Sequence, residues 1–584
     1  MCLSRWRWSC SYGASLRRGC GLRRTAAPAR PSRRCLRPRR APRPSTRPRG
    51  TTFRYEDRCV SAEGRAQLAR YAGIFASGTM LSRVLGLVRD MVLGALVPAA
   101  GRDAFFMAFQ LPNMLRDMLG EGAANAALVP VFTRRREQDG DEAFRGSVRA
   151  VLGMFLIMFA WITILGVVLM PLVPSAVELL RQWSGGHGRA DDNWPDTVAL
   201  MRWTFPYLFF IGLTAFATAP LFILRHYSTP SWSPVLLNVA LILSCWTLRS
   251  WFPSPVWALV AGVWAGGIAQ MAVMFWALRR VAGIWLPRLH PGHPDVARVF
   301  LLLGPVILGQ TAGEINKLVD KFFAYALQTD VVTALYYSNR LVQLPLAMFG
   351  VAVSAAVLPS LSAAVVRDEH DRARDTLAFG LRFSFLLTAP ALAGLLALGG
   401  PLVQLLFERG EFTASTTDMT ARALYYYALG LVAFTWIKVA AQAFYARQDT
   451  TTPVAIAAAC MLLNIALNFA LVRPMGYEGL ALATSISFGA NALMLLAVLG
   501  RRFGNPFDAA SMLEMGKTLV ASVAAGGAAW GVHAALATAL GADAFYAQAG
   551  ATLPAVAASI AVFCGLCLLF RVRDFGRVLA SMRR

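Results

Sequence analysis

The sequence predicts an all-α integral membrane protein in which fourteen transmembrane helices surround a central cationic cavity. Three observations predict it. Of the 584 residues, 56% are apolar and only 15% are charged. Apolar runs long enough to span a bilayer recur along the chain, and the connections between them alternate between rich and poor in Lys and Arg. The net charge of +25 would by itself suggest a nucleic-acid-binding protein, but the distribution of that charge argues against this class.

The first segment, residues 1–65, is basic and of low complexity. Residues 1–58 contain 17 Arg, no Lys and two acids, so they carry +15 of the +25. The segment has no apolar period and lacks the apolar region of a secretory signal, so we expect it to be disordered. Two origins are open: sequence read from a misplaced start codon, which we favour, and an organellar transit peptide.

The rest of the chain is organised in apolar spans, each of which needs about 20 residues to cross the hydrocarbon core. Fourteen candidates cover 71–97, 103–132, 147–173, 197–224, 231–251, 255–278, 299–327, 331–360, 380–398, 418–445, 453–472, 477–499, 516–540 and 549–570. One set of alternate connections, with the C-terminal tail, holds 22 Lys and Arg, and the opposite set holds 6. The positive-inside rule therefore places both termini in the cytoplasm.

The spans also repeat. The run LLNVAL at 236–241 recurs as LLNIAL at 462–467, and QLP at 110–112 recurs at 343–345. Four such matches share offsets between 218 and 233. We therefore expect an N-lobe at 66–290 (helices 1–6), a C-lobe at 291–505 (helices 7–12), and helices 13–14 with a cytoplasmic tail at 506–584. Two parallel six-helix repeats are a transporter architecture, with the substrate site between the halves.

Charged residues inside the spans are the candidates for function, because each costs about 2.5–3.5 kcal/mol on insertion. Arg83, Arg116 and Arg340 fall in corresponding early spans of the two halves. A guanidinium is always charged and grips phosphate with two hydrogen bonds, so these arginines predict a phosphate-bearing substrate.

Other intramembrane polar residues leave two interpretations open. In the second span Asn113, Asp117 and Glu121 form a polar stripe beside Arg116, and in the first span Asp90 shares a face with Arg83. Further charges are Arg89, Lys317, Lys321 and Lys438. For Arg89, Asp90, Lys317 and Lys321, pairing that only locks helices together is as good an interpretation as ligand binding.

Several motifs together resemble the MurJ (MviN) family of the MOP exporter superfamily. They are SRVLGLVRD at 82–90, LPNMLR at 111–116, YYSNR at 336–340 and YARQD at 445–449. The resemblance covers about residues 68–575. It implies a lipid II flippase, not an enzyme, that moves the undecaprenyl-diphosphate-linked peptidoglycan precursor from the inner to the outer leaflet of the bacterial cytoplasmic membrane by alternating access.

The resemblance also implies the site. The family's cavity arginines match Arg83, Arg89, Arg116 and Arg340, its second-helix acid matches Glu121, and Asp103 matches another important position, so with Asn113 these form the expected substrate site. Asp320 and Asp449 are the nearest equivalents of a cation site in some members, and Na+ or the membrane potential is the candidate driving force. Asn339 and Gln343 stand where many members carry acids, which makes the cavity more cationic and puts ion coupling through those acids in doubt.

Two alternatives are kept: another MOP-type exporter of polysaccharide-linked lipids, and a membrane transferase acting on polyprenyl phosphates. The transferase would need a catalytic Asp/His or metal cluster at a membrane face, and the sequence contains no such pattern. We therefore expect no cofactor and no nucleic-acid partner. The expected partners are lipid II and membrane lipids, with other cell-wall synthesis proteins as candidates.

Overall fold

The computed structural model describes residues 62–116, 118, 124–184, 194–284, 286–541 and 545–582, and in these ranges the chain is helical without a strand. The helices are α1 Ala62–Leu96, α2 Ala99–Arg116, α3 Ala124–Leu169, α4 Val173–Ser184, α5 Trp194–Thr204, α6 Tyr207–Ile223, α7 Ser228–Thr247, α8 Pro255–Ala282, α9 Pro294–Leu327, α10 Val331–Pro345, α11 Val351–Val366, α12 His370–Phe407, α13 Ala414–Leu429, α14 Leu431–Ala446, α15 Thr451–Met475, α16 Tyr477–Phe503, α17 Ala509–Leu540, α18 Phe545–Leu569 and α19 Arg573–Met582. The expected basic segment, up to residue 61, and Glu121 lie outside the described residues.

Membrane-spanning helices make up most of the described chain. Nine helical stretches there are long and apolar enough to cross a bilayer, or ten if α13 and α14, bent by 41°, form one span. The nine are Ala124–Leu179, Pro195–Ile223, Pro255–Ala282, Val331–Val366, His370–Phe407, Thr451–Met475, Tyr477–Phe503, Ala509–Leu540 and Phe545–Leu569. The prediction of an all-α, multi-pass membrane protein is confirmed.

Four helices that match predicted spans are not in this set: α1, α2, α7 and α9. α1 carries Arg83, Arg89 and Asp90, and α2 carries Arg102 and Asp103. Because a charge facing lipid is costly, these side chains must face protein or an aqueous cavity. The charged residues of α1 and α2 are therefore candidates for function.

Proline interrupts several predicted spans. The span predicted at 197–224 is two helices, α5 and α6, which meet at Pro206. The span predicted at 331–360 is α10 and α11, joined after Pro345 by a π-helical turn at Leu346–Gly350. Proline lacks the backbone N–H of the helical ladder and clashes with the preceding turn, so such breaks re-aim the chain inside the membrane.

The outer surface of the helices is apolar. On α3, one exposed face carries four large side chains at helical spacing: Trp161, Ile164, Leu165 and Val168. On α17, Leu519, Val520 and Val523 are exposed in the same way. In water, a continuous apolar surface of this kind would promote aggregation. In a membrane, it is the surface that a helix presents to lipid.

The helices pack in two sets that meet at few places. In the first set α1 packs on α7, α7 on α8, and α3 on α6; in the second α9 and α16 pack on α15, and α14 on α16. α17 packs on α12 and on α18. Contacts between the two sets are made by α2 with α9 and α10, by α1 with α12, and by α3 and α4 with α9. The polar residues of α1, α2, α9 and α10 lie at this junction.

Two turns in the two sets have the same backbone geometry. After α6, Arg225 has φ 59° and the His226 amide donates to Leu221 O at 2.9 Å. After α14, Gln448 has φ 59° and the Asp449 amide donates to Phe444 O at 3.0 Å. Both close their helix with the left-handed residue and the backward hydrogen bond of a Schellman-type end. The turns occupy matching places in the repeat predicted from the sequence.

Candidate functional site

Asp90 of α1 is the centre of a polar cluster at the junction. Its side chain has 0% exposure. The Arg89 guanidinium donates to Asp90 Oδ1 at 2.6 Å through Nη2 and at 3.0 Å through Nε. Arg340 Nε of α10 lies 3.2 Å from Asp90 Oδ2. Two guanidinium groups share one carboxylate, so the cluster keeps one net positive charge.

Arg89 is held by partners on three helices. Besides Asp90, it donates to Asn238 Oδ1 of α7 at 3.2 Å and to the Tyr336 hydroxyl of α10 at 2.9 Å. Asn238 in turn donates to Ser82 O of α1 at 3.0 Å. The Arg89 side chain is only 14% exposed. In this conformation Arg89 therefore positions the cluster and does not present its guanidinium to a ligand.

The Arg340 side chain is more exposed than that of Arg89. Its side chain is 31% exposed, and its contact with Asp90 is an ion pair without hydrogen-bond geometry, because Asp90 Oδ2 has no hydrogen-bond partner among the described residues. Its Nη2 lies against the backbone of Gly86, where an added Cβ would be 2.6 Å away. The guanidinium is thus anchored on one edge and leaves N–H donors for an anion.

The Gly86 contact yields a test. Gly86→Ala pushes the Arg340 guanidinium aside, and since the contacted atom ends a flexible side chain, the helix itself is not forced to move. We expect transport to fall about fivefold, equivalent to ~1 kcal/mol of lost stabilisation, with unchanged thermal unfolding. Gly73→Ala on the same helix, where no atom lies within 4 Å, is the matched control. Equal activity of both variants would contradict the proposed placement of Arg340.

Arg83 and Arg116 extend the cluster along the helices. Arg83 is exposed and makes no hydrogen bond or ion pair with the described residues. It lies seven residues before Asp90, on the same face and about 10 Å further along α1. Arg116 ends α2, and Asn113 lies nearly one turn before it, half-buried. Arg83 and Arg340 are thus both more exposed than Arg89.

Asp103 of α2 has a different environment from the ligand-binding position expected from the sequence. It is fully buried. Its Oδ1 accepts from the Thr333 amide at 2.9 Å and the Thr333 hydroxyl at 2.6 Å, and its Oδ2 accepts from the Asp330 amide at 2.7 Å. Asp103 therefore caps the first turn of α10 from another helix, where N–H groups lack helical partners. In this conformation its carboxylate is not open to a substrate.

Arg102, next in the chain, completes this contact and was missed by the sequence analysis, which placed it in a connecting loop. It is buried in α2 and donates to Asp330 Oδ1 at 2.9 Å and to Gly94 O at 2.9 Å. Asp330 also accepts from the Thr416 hydroxyl of α13 at 2.7 Å. The signal in the sequence was the spacing: Arg102 and Asp330 differ by 228 residues, close to the offset of the repeat.

An aromatic layer lies between this contact and Asp90. The Tyr337 ring packs on Phe412 and Phe407 with ring centres 5.4 and 4.6 Å apart. Its hydroxyl donates to Asp90 O at 2.7 Å, and Gly94 of α1 approaches both Phe412 and the Tyr337 hydroxyl. We call Arg102, Asp103, Asp330, Thr333 and Thr416 the α2–α10 lock; with this layer it joins the two helix sets at one end of the cluster.

Asp320 and Asp449, the two acids expected at a cation site, are not brought together. Asp320 of α9 accepts from Asn468 Nδ2 at 2.5 Å and Thr484 Oγ1 at 3.4 Å. Asp449 lies 19 residues before Asn468, and the helical part of that stretch, from Thr451, is about 25 Å long. It caps α15, and the hydrogen bonds from the Thr452 amide and Arg502 hold its pKa below its usual range. Asp320 lies in a half-buried, oxygen-rich setting, whereas Asp449 pairs with Arg502.

Asn238 is a second functional residue that the sequence analysis did not single out. It orients Arg89 on α1, while its repeat counterpart Asn464 on α15 lies beside Thr484 and bonds to Asn468. Both stand at the same place in the recurring LLN run. The repeat itself was therefore the signal that could have found it. Asn339 and Gln343, the two departures from the family pattern, bond to each other at 3.1 Å on α10.

Comparison with known proteins places this geometry in a context. Residues 93–549 match the profile of the family described as "Lipid II flippase MurJ". The chain is 37% identical over 432 residues to the probable lipid II flippase MurJ of Vibrio cholerae, covering 73% of this chain and 81% of the relative. It is 34% identical over 429 residues to the lipid II flippase MurJ of Burkholderia cenocepacia, covering 73% and 82%.

Solved structures show the same fold. A lipid II flippase MurJ in an inward closed conformation superposes with a TM-score of 0.69 at 23% identity, covering 85% of this chain and 98% of that one. An inward-facing MATE-family multidrug transporter of the MOP superfamily superposes with a TM-score of 0.59 at 15% identity, covering 74% and 98%. At these identities the likeness concerns the fold alone.

Proposed function

The chain belongs to the MurJ family of lipid II flippases, and from this premise we propose how its own residues carry the transport. The protein is a multi-pass transporter of the bacterial inner membrane that moves lipid II, and it is not an enzyme. The observation that carries the proposal is the pair of accessible guanidinium groups, Arg83 and Arg340, held at the junction of the two helix sets. An intramembrane cationic site of this kind suits a lipid-linked diphosphate.

The function as a whole is tested by depletion. A cell deprived of this protein should accumulate lipid II in the inner leaflet and lose its shape before it lyses, and the intact chain should restore growth. Unchanged inner-leaflet lipid II after depletion would contradict the function. Accumulation of a polysaccharide-linked lipid instead would favour the alternative MOP-type exporter.

Arg83 and Arg340 are proposed to hold the diphosphate, with Arg116 as a third contact. Arg89 and Asp90 are proposed as positioning residues, because Arg89 already donates hydrogen bonds to Asp90, Asn238 and Tyr336. A diphosphate bound at Arg340 competes with Asp90 for the same guanidinium. Binding can therefore loosen the link between α1 and α10, which couples ligand to conformation only if the two states differ in affinity.

The α2–α10 lock is proposed to be the closed outer gate. If both termini are cytoplasmic, the end of α1, the start of α2 and the start of α10 all lie at the outer face of the membrane. Arg83 lies 14 residues before Val97, and Arg340 lies 10 residues after Asp330, which puts both about 15–21 Å inward of the gate. The diphosphate would then enter from the cytoplasmic side and leave when the gate opens.

The finer architecture stays a proposal. Fourteen spans result when α1, α2, α7 and α9 are added to the ten apolar spans, and the lobes at 66–290 and 291–505 follow the predicted repeat, with helices 13–14 and the tail at 506–584. The recurring LLN run, which places Asn238 on α7 and Asn464 on α15, supports the repeat. Cytoplasmic termini rest on the asymmetry of Lys and Arg between the connections. Other cell-wall synthesis proteins remain candidate partners.

We propose that Asp320 belongs to a cation site through which Na+ drives transport. Asp320 has Asn468 and Thr484 within reach, and Asn468 Oδ1 is buried without a hydrogen-bond partner among the described residues. Carboxylate, amide and hydroxyl oxygens are ligands that suit Na+ in transporters, so these residues fit the ion and would hold it. The membrane potential can also contribute, about 2.3 kcal/mol per charge per 100 mV.

Asp320→Asn removes the only charge among the three proposed ligands Asp320, Asn468 and Thr484. We expect the variant to transport at the same rate with and without Na+, at the level that the wild type reaches without Na+. The measurement is lipid II flipping in proteoliposomes with a Na+ gradient or its K+ replacement. Asp449→Asn, at the α15 cap, is the control and should keep the Na+ response. A wild type indifferent to Na+ would refute this cation as the driving ion.

A further inference from the structure

Two lysines deep in the second helix set are not explained by the arginine site. Lys317 of α9 forms an ion pair of 2.6 Å with Glu314, one turn before it, yet its side chain is 52% exposed. Lys438 of α14 is exposed near the middle of its helix and makes no ion pair with an acid of the described residues. Its ammonium lies over the Phe434 ring, 5.3 Å from the centre.

The two lysines lie on helices with a common neighbour, since both α9 and α14 pack on α16. Their ammonium groups are within electrostatic range and repel each other. A lysine in mid-span that pointed at lipid would be strongly penalised, so Lys438 faces the interior. Glu314 neutralises Lys317, and the charge of Lys438 is left over. Like charges kept together in a membrane interior favour an anionic ligand between them.

The position of Lys438 favours a part of the ligand other than the diphosphate. Arg340 lies ten residues before Gly350, about 15 Å along the α10–α11 direction. At Gly350 an added Cβ would be 3.5 Å from Thr435 of α14, nearly one turn before Lys438. The backbone of Lys438 is therefore about 15 Å or more from that of Arg340. A diphosphate held at Arg340 is thus centred well away from the backbone of Lys438.

We propose that Lys438, with Lys317, forms a second anion subsite that binds a carboxylate of the peptide on the lipid II head group. This deepens the proposed function and rests on it, since the diphosphate must be held at Arg340 for the peptide to reach α14. A peptide of five extended residues spans about 16 Å, so the head group bridges the two subsites. Gripping both ends makes the site specific for the complete precursor over the bare lipid diphosphate.

The experiment compares ligands that differ only in the head group. Binding to the full-length purified protein is measured for lipid II, for lipid II with its peptide carboxylates amidated, and for undecaprenyl diphosphate. Lys438→Met should bind lipid II about tenfold more weakly, the weight of one charge-assisted hydrogen bond. It should bind undecaprenyl diphosphate as the wild type does. The wild type should bind amidated lipid II as weakly as the variant binds lipid II.

Controls separate charge from packing. Lys438→Arg should restore lipid II binding, and Gln442→Met, one turn along the same face, should change nothing; thermal unfolding confirms that each variant folds. An equal loss for undecaprenyl diphosphate, or no loss for any ligand, overturns the subsite. A wild type that binds neither lipid II nor undecaprenyl diphosphate counts instead against the arginine site, so the two failures are distinguishable.

Discussion

Arg340→Ala is expected to abolish the support of growth in a cell depleted of its own flippase, with the protein present at its normal level. Arg340 supplies the most accessible donors at the Asp90 cluster, and one lost charge-assisted contact already lowers binding about 10- to 100-fold. Folding is spared because Asp90 keeps its 2.6 Å partner Arg89, so no buried carboxylate is left unpaired. Growth and the inner-leaflet lipid II pool are the measurements.

The matched variants for Arg340 test geometry as well as charge. Arg340→Lys keeps the charge but loses the planar fork, so we expect partial activity at best. Arg422→Ala removes an exposed arginine that pairs with Asp418 at 2.8 Å, away from the cluster, and should be silent. Full growth with Arg340→Ala would refute the assigned role.

Asp103→Ala should shift the protein toward the state in which the α2–α10 lock is open. The change removes three hydrogen bonds to a carboxylate, each worth about 1.5–3 kcal/mol. Even 3 kcal/mol moves a two-state population more than a hundredfold. Spin labels at Ala100 and Ser415, both exposed at the starts of α2 and α13, should report a longer distance, and transport should fall because the closed state is rarely visited.

Asp418→Ala provides the control for Asp103, since it removes an acid near the start of α13 that pairs only at the exposed surface. It should leave the distance distribution unchanged. Asp103→Asn keeps one acceptor and should lie between the two. A distribution for Asp103→Ala that matches the wild type would show that the lock does not govern the conformation.

The sequence alone predicted most of what depends on composition and local pattern. Apolar runs determine how many helices can lie in lipid, so the membrane class followed from them, and the motifs at 82–90 and 336–340 identified the family. The candidate arginines could also be identified from the sequence, because a charged residue within an apolar run is conspicuous there. Breaks inside spans, as at Pro206 and Pro345, were harder to predict, since many membrane helices absorb a proline without ending.

What the arginines do was decided by the tertiary structure. Arg89 meets Tyr336 across 247 residues and Arg102 meets Asp330 across 228, so neither pairing is visible in a local pattern. The sequence predicted that Asp103 and Arg83 both line the cavity. In the structure Asp103 is buried and caps α10, whereas the Arg83 side chain is exposed. Sequence thus determined which charges enter the membrane, because the energetic penalty of each is local. Only packing decided which of them neutralise one another, because that depends on helices distant in the chain.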